Sequence, residues 1–220
     1  MANLSNIKIK HLNKDIASII INESKTYNAL SFRNLGDLIK AFKKLDNDKN
    51  TKVIIIEGAG KGFSAGHNLK EVNGLKKREK YQKLFNLCSK LMLQIVEGKK
   101  PVIAKVHAVS RKINRKRMMK MLLTGEPIKA NYAKEIGLIN DYFSKSKLND
   151  EVLKIAKTIA SKSNLTIKIG KQTFYKQLEM PLRKAYLYTS KMMTVNMMAM
   201  DAKEGISAFL EKRKPKWKNK

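Results

Sequence analysis

The 220-residue sequence is long enough for one domain with a sizeable hydrophobic core, and it contains no run of about 18 apolar residues that would predict a transmembrane helix. Its formal net charge of +29 comes from 47 Lys and Arg against 18 Asp and Glu. Only seven of the 47 are Arg, and the lysines are spread along the whole chain. Specific phosphate and base recognition favours the planar guanidinium of Arg. The composition therefore predicts weak, nonspecific attraction to nucleic acid and other polyanions.

The rarest reactive residues argue against several other kinds of site. A single cysteine, Cys88, cannot form an intramolecular disulfide, and its helical setting predicts a buried thiol in a reducing compartment. The three histidines, His11, His67 and His107, are too scattered to suggest metal ligation, so no metal site is expected. The N-terminal segment lacks the apolar core of a secretory signal and is poor in Arg. The predicted location is the cytoplasm, or an organelle matrix if a targeting segment has been removed.

Apolar residues at strand and helix periods divide the first half of the chain into alternating elements. The predicted elements are a β-hairpin of strands 7–10 and 16–22, a polar loop at 22–28, a helix at 32–45, a buried strand at 53–56, a helix at 76–97 and a strand at 102–106. Ser31 is suited to cap the first helix. An alternation of strands and helices is typical of an α/β fold.

The second half is predicted to be mainly helical. Its predicted elements are helices at 111–123 and 130–136, a strand at 138–143, and helices at 148–162, 165–178, 181–199 and 202–212. A stripe of methionines lies between positions 192 and 200. Core or subunit packing is the preferred interpretation of this stripe, and a flexible acyl-binding or partner-binding surface is the alternative.

A glycine-rich stretch directly after the strand at 53–56 organises the rest of the chain. Residues 57–70 read EGAGKGFSAGHNLK, and the four glycines permit tight turns and close backbone approach. The stretch lacks the GK[ST] of a phosphate-binding loop, and no helix is expected directly behind it. Beyond the last glycine, the backbone N–H of His67 or Asn68 is expected to face a cavity.

Six motifs follow one another along the chain. They are NALS at 28–31, EGAGKGFSAGHNLKE at 57–71, KPVIAKVHA at 100–108, MLLTGEPI at 121–128, A-x-x-x-GLIN at 133–140 and EGISAFLEKRKPKW at 204–217. Their order and spacing resemble the crotonase family, the enoyl-CoA hydratases and isomerases. GKQTFYKQL at 170–178 and the GHNLKE variant look most like the branch of enoyl-CoA hydratase domain-containing protein 3.

The resemblance implies an architecture. We expect an α/β fold whose crotonase-like ββα spiral core, shortened by a deletion, occupies residues 1–143. Residues 144–220 would form a C-terminal helical region of the same domain, which packs the subunits of relatives into trimers. A homotrimer is therefore expected. The mitochondrial matrix, where the resembling branch is found, becomes the alternative to a cytoplasmic location.

The resemblance also implies a binding site. In the family, two backbone N–H groups polarise the carbonyl of a coenzyme A (CoA) thioester, and no cofactor is tightly bound. By this resemblance the N–H of His67 is the first donor. The segment lining the CoA consists of Ala65, Gly66, His67, Asn68, Leu69 and Lys70. Asn68 stands where the family usually has Asp, so one structural hydrogen bond is expected to weaken. Lys212 and Lys214 are further candidates for contacts near the CoA nucleotide.

The side chains of two histidines also fall within these motifs. The imidazole of His67 is expected to narrow the pocket, and general acid/base chemistry is the less favoured alternative. His107 lies at a strand end in the family pattern, where packing is expected ahead of catalysis.

One part of the family pattern is missing. In family members a glycine-rich segment follows KPVIAKVHA; it supplies the second N–H and opens a helix with a catalytic glutamate, and a second glutamate follows on a later loop. Here the chain runs directly from Ser110 into the region beyond these elements, and no glycine occurs before Gly125. Glu97 and Glu126 flank the gap but match neither glutamate position.

These features predict an acyl-CoA protein of fatty acid metabolism that retains part of a CoA-thioester pocket. Its hydratase activity is expected to be weak or absent, because the second donor and both glutamates are missing. Two alternatives stay open. One is a basic RNA-binding homologue, since one family branch binds AU-rich RNA. The other is a non-catalytic subunit that assembles with full-length relatives.

Overall fold

The computed structural model describes residues 6–60, 62–105, 115–126 and 128–219 of the chain. Within these residues four strands and nine helices follow in α/β order, together with one short 3₁₀ helix at Ser24–Thr26. The elements are β1 (Ile7–His11), β2 (Ile16–Ile21), α1 (Phe32–Asn47), β3 (Val53–Gly58), α2 (Leu69–Gly74), α3 (Arg78–Glu97), β4 (Val102–Lys105), α4 (Arg115–Thr124), α5 (Ala130–Glu135), α6 (Leu148–Ala160), α7 (Asn164–Gln177), α8 (Leu182–Met198) and α9 (Met200–Leu210). Among them, no helix is both long enough and apolar enough to span a bilayer.

The strands form one mixed sheet in the order β1-β2-β3-β4. The predicted hairpin is confirmed: β1 and β2 pair antiparallel, and the side chain of Asn13 accepts hydrogen bonds from the amides of Asp15 and Ile16 in the turn. β2, β3 and β4 are parallel to one another. Parallel strands are usually covered on both faces, which explains why Val53 to Ile56 are all buried.

Alternate residues of each strand face two separate hydrophobic clusters. The first cluster lies between the sheet and helices α1 and α3; its strand residues include Ile19, Ile21 and Ile54. Ser31 caps α1 as predicted, because its side chain accepts a hydrogen bond from the amide of Asn34. α6 covers the opposite face, where Ala156 packs in the second cluster with strand residues of that face.

Several sequence predictions are wrong in detail. The strand predicted at 138–143 is absent, because the amides of Leu138 and Ile139 both donate to the carbonyl of Ala133 and close the end of α5 instead of pairing with a strand. Met92, predicted on the apolar face of the helix at 76–97, is 45% exposed. Met193 and Met198 of the methionine stripe are largely exposed and do not pack in the core of this chain, while subunit packing of the stripe stays a prediction. Cys88 is half-buried rather than buried, and burial raises the pKa of its thiol.

A lysine from the C-terminal helices fastens them to the sheet-forming half of the chain. The ammonium of Lys171, on α7, donates to the carbonyls of Ile95, Gly98 and Lys100 at 2.7, 2.9 and 2.9 Å. These carbonyls belong to the last turn of α3 and the approach to β4, where a positive charge complements the C-terminal end of a helix. Burial lowers the pKa of Lys171, so these bonds offset a desolvation cost.

Replacing Lys171 by Met should therefore destabilise the fold by about 1–3 kcal/mol, because three partly buried carbonyls lose a charged donor while the aliphatic stem stays. Urea unfolding measures the change. Lys168→Met is the matched control: it lies on the same helix, and its ammonium makes no hydrogen bond or ion pair among the described residues. Equal unfolding midpoints for the two variants would contradict the assigned role.

The chain after α9 folds back onto the helical region. Buried Asp201 accepts hydrogen bonds from the hydroxyl of Ser163 and the amides of Lys218 and Asn219. Arg213 binds Glu204 in a two-pronged ion pair, with nitrogen-oxygen distances of 2.6 and 3.0 Å. These contacts hold the segment that carries the candidate lysines at 212 and 214, whose side chains are exposed.

The Arg213 ion pair should make stability depend on acid pH. Hydrogen bonds from Arg213 and the Lys216 amide lower the pKa of Glu204 to about 2 from an ordinary 4.5. The contribution of ionised Glu204 to the free energy of unfolding is therefore complete above about pH 4.5 and is lost as the pH falls towards 2. Glu204→Gln should lower the thermal midpoint at pH 7, and the gap to wild type should close in that acid range. Glu179→Gln, an exposed glutamate without an ion pair among the described residues, should show no such convergence.

Candidate functional site

The predicted site segment lies between β3 and α2 and runs alongside residues 27–30. The amide of Ala65 donates to the carbonyl of Tyr27 at 2.9 Å, the amide of Leu30 donates to the carbonyl of Gly66 at 2.7 Å, and the amide of Asn68 donates to the carbonyl of Leu30 at 3.2 Å. This is parallel pairing, with His67 opposite Leu30. In such pairing the residue opposite has its own N–H directed away from the partner. The N–H of His67 accordingly has no acceptor in the described part of the chain.

Asn28, from the NALS motif, holds this pairing in place. It is fully buried and adopts a left-handed backbone conformation with φ of 58°. Its side-chain amide donates to the carbonyls of Ala59 and Gly62 at 2.8 and 2.9 Å, and its side-chain oxygen accepts from the amide of Glu23. One side chain thereby binds the glycine-rich turn at two points.

Two glycines of the turn are required by its geometry. A Cβ on Gly58 would lie 2.3 Å from the carbonyl oxygen of Phe63, a separation that real structures do not show. Gly66 has φ of 82°, a conformation that side chains disfavour. The glycines that the sequence marks as turn residues thus allow the chain to leave β3 and return beside residues 27–30.

The side chain of His67 packs against helix α3. Its ring meets the ring of Phe85 edge to face, with centroids 5.2 Å apart. The Nε2 atom is buried and has no hydrogen-bond partner among the described residues. The imidazole is therefore held against α3, and the expectation that it narrows a pocket stays a prediction.

Asn68 begins α2, which corrects the expectation that no helix follows the glycine-rich stretch. Its side-chain oxygen accepts from the amides of Lys70 and Glu71 at 3.1 and 3.2 Å. An amide oxygen caps a helix as well as a carboxylate does, so the cap survives the loss of charge at this position. Glu71 accepts from the amide of Phe32 at 2.9 Å and ties α2 to the start of α1.

The outer edge of the segment is open to solvent. Leu69 is 78% exposed, and Ala65 and Lys70 are also exposed. The best-formed cavities of the described part of the chain are lined by other residues. The expected cavity beside the His67 N–H is thus not enclosed by the residues that the structure describes.

The opposing half of the predicted site lies mostly outside the described residues. This holds for His107 and for the junction after Ser110, where relatives would place the second donor. Glu97 ends α3 and Glu126 follows α4, and both side chains are exposed. No group of acidic, cysteine or histidine side chains suited to a metal ion occurs among the residues described.

A polar cluster on the second face of the sheet was missed by the sequence analysis. The carboxylate of Glu57 accepts from the hydroxyl of Ser18 at 2.5 Å and from the ammonium of Lys105, which also donates to Asn149 at 2.7 Å. Burial would raise the pKa of Glu57, but the hydrogen bonds from Lys105 and Ser18 outweigh it and lower that pKa. The cluster borders a cavity of about 320 Å³. The only sign of this cluster in the sequence was the presence of single polar residues inside apolar strands.

Comparison with known proteins agrees with the family resemblance that the motifs indicate. The family model described as "Enoyl-CoA hydratase/isomerase" matches residues 11–109 and 106–220, two segments that meet where the sequence predicts the gap. Human enoyl-CoA hydratase domain-containing protein 3, mitochondrial, is 35% identical over 243 residues, which cover 92% of this chain and 80% of that protein. Since 92% of 220 residues is about 202, about 40 positions of that alignment have no residue in this chain.

Solved structures give the same result for the fold. The crystal structure of an enoyl-CoA hydratase from Mycobacterium smegmatis superposes with a TM-score of 0.92 at 32% identity, covering 96% of this chain and 98% of the other. The crystal structure of human enoyl coenzyme A hydratase domain-containing protein 3 superposes with a TM-score of 0.91 at 33% identity, covering 96% and 100%. The chain therefore belongs to the enoyl-CoA hydratase/isomerase family and has the crotonase fold.

Proposed function

We propose that this protein binds acyl-CoA thioesters through the half-site at residues 65–70 and has little or no hydratase activity. The observation that carries the proposal is the backbone N–H of His67, which has no acceptor among the described residues and is held between two hydrogen bonds to the segment at 27–30. An N–H fixed in this way is suited to donate a hydrogen bond to the oxygen of a polarised carbonyl.

The surroundings of the His67 N–H support the proposal that the bound carbonyl belongs to a thioester of CoA. Leu69 and Lys70 are exposed on the edge of the same segment and offer an apolar surface and a cation. The net charge of +29 adds long-range attraction for a ligand with several phosphate charges. This attraction acts equally on RNA, and no contact among the described residues favours RNA over other polyanions.

The missing half of the site supports the second part of the proposal. Loss of one backbone donor costs about 10²–10³ in rate. Loss of positioned acid and base groups costs about 10²–10⁴ more. The exposed side chains of Glu97 and Glu126 offer no substitute, because a general acid or base must reach the reacting atoms.

We also propose that residues 1–143 and 144–220 act as one unit, supported by the bonds from Lys171 to the end of α3. The names of relatives that resemble this chain place those proteins in mitochondria, which supports the matrix over the cytoplasm as its location. The homotrimer stays a prediction; exposed Met198 on α8 and Phe209 on α9 are available for such packing.

Calorimetric titration tests thioester binding. Crotonyl-CoA should bind about 2- to 10-fold more tightly than S-butyl-CoA, a thioether that lacks the carbonyl, because one hydrogen bond contributes about 0.5–1.5 kcal/mol. Thermal stabilisation by each ligand provides an independent check. Failure of both ligands to bind at millimolar concentration would remove CoA from the proposal. Equal affinities for crotonyl-CoA and S-butyl-CoA would contradict the proposed hydrogen bond between the His67 N–H and the thioester carbonyl.

Turnover of crotonyl-CoA tests the loss of activity. We expect hydration slower than about 1 per second, which is low for an enzyme, with the Mycobacterium smegmatis enoyl-CoA hydratase as the positive control. Any residual rate of hydration should be unchanged in Glu97→Gln and Glu126→Gln, since neither carboxylate is placed to act as a general acid or base. Turnover at ordinary enzymatic rates, or its loss in either variant, would contradict the proposal.

A further inference from the structure

We propose that the Ser64 hydroxyl and the Asn28 side chain are positioning groups that aim the His67 N–H at the bound carbonyl. This inference rests on the proposed function and assigns the residues on which the direction of its donor depends. Neither side chain touches the ligand in this scheme. Both act through the peptide groups that precede His67.

The direction of the donor follows from the geometry of a single peptide group. The carbonyl of Gly66 and the N–H of His67 belong to one planar trans peptide and point in opposite directions. That carbonyl accepts from the amide of Leu30 at 2.7 Å. The N–H of His67 must therefore point away from residues 27–30. Any rotation of this peptide would turn the donor by the same angle.

Leu30 can set that direction only if both segments keep their register. On one side, Asn28 fixes residues 27–30 against the glycine-rich turn through the carbonyls of Ala59 and Gly62. Its buried side chain also accepts from the amide of Glu23, so its amide cannot reorient without losing partners. The Asn28 side chain thus fixes residues 27–30 against the glycine-rich turn.

On the other side, the hydroxyl of Ser64 links the two segments directly. It donates to the carbonyl of Asn28 at 2.8 Å and accepts from the amide of Gly66 at 3.2 Å. That amide belongs to the peptide immediately before the donor peptide. Gly66 has φ of 82° and carries no side chain to restrain it, so the Ser64 hydroxyl restrains a backbone that is otherwise permissive.

A substitution at Ser64 can distinguish a positioning role from a general effect on the stability of the fold. Removing its hydroxyl breaks the bonds to the Asn28 carbonyl and the Gly66 amide. It leaves in place the pairing of Leu30 with Gly66 and the four other hydrogen bonds of Asn28. The fold should therefore persist in Ser64→Ala while the donor peptide gains freedom. A purely structural role would change stability and leave the preference for a thioester unchanged.

The experiment compares wild type, Ser64→Ala and Ser64→Thr, which retains a hydroxyl. The first readout is the ratio of the dissociation constants of S-butyl-CoA and crotonyl-CoA. We expect Ser64→Ala to bring a wild-type ratio of about 2 to 10 close to 1, with the affinity for the thioether unchanged. Ser64→Thr should retain the wild-type ratio. A wild-type ratio preserved in Ser64→Ala would overturn the inference.

The second readout needs no ligand. Residual dipolar couplings report the direction of the His67 N–H bond, which should change in Ser64→Ala and stay near the wild-type value in Ser64→Thr. An unchanged coupling in Ser64→Ala would overturn the inference whatever the binding data show. If wild type binds neither ligand while the couplings change as expected, the positioning role stands and the proposed function fails.

Asn28→Gly extends the test to the other positioning residue. Glycine accepts the left-handed backbone of this position, so the variant removes the side-chain hydrogen bonds without straining the backbone. The His67 coupling should change as in Ser64→Ala. Tyr27→Gly controls for added backbone freedom in the urea midpoint, because neighbouring Tyr27 has φ of 54° and an exposed ring. An unchanged coupling in folded Asn28→Gly would contradict its assigned role.

Discussion

The parallel pairing of residues 27–30 with residues 65–68 is the constraint on which the site depends. It uses the carbonyl of Gly66 and the amide of Asn68, and it leaves the amide of His67 without an acceptor among the described residues. The pairing requires the chain to turn sharply after β3, which needs glycine at Gly58, and to be held there by buried Asn28. The apolar strands beneath supply a rigid base, because both faces of β3 are covered.

The same fold persists although a part of the family pattern is missing. The predicted gap follows Ser110, yet the chain superposes on two solved relatives with TM-scores above 0.9. The described contacts explain how the two sides of the gap are joined. α6 covers the second face of the sheet, and Lys171 fastens α7 to the end of α3. The contacts that hold the fold together thus lie outside the region where the sequence predicts the gap.

Much of this could be predicted from the sequence, for reasons that are local. The periodicity of β3 and α1, the Ser31 cap and the glycines after β3 each act through neighbouring residues. The failures have two different causes. Leu138 and Ile139 have the composition of a strand, but their amides close α5. Asn28 also binds Ala59, Gly62 and Ser64, which lie more than 30 residues away, so the sequence marked the NALS motif without revealing what it holds.

The central claim is that the backbone N–H of His67 donates to a thioester carbonyl. Infrared difference spectroscopy of crotonyl-CoA carrying ¹³C at the thioester carbonyl observes this bond directly. We predict that the carbonyl stretch moves to lower frequency when the ligand is bound to the protein, because a hydrogen bond weakens the C=O bond. Bound ligand with the stretching frequency of free crotonyl-CoA would contradict the account.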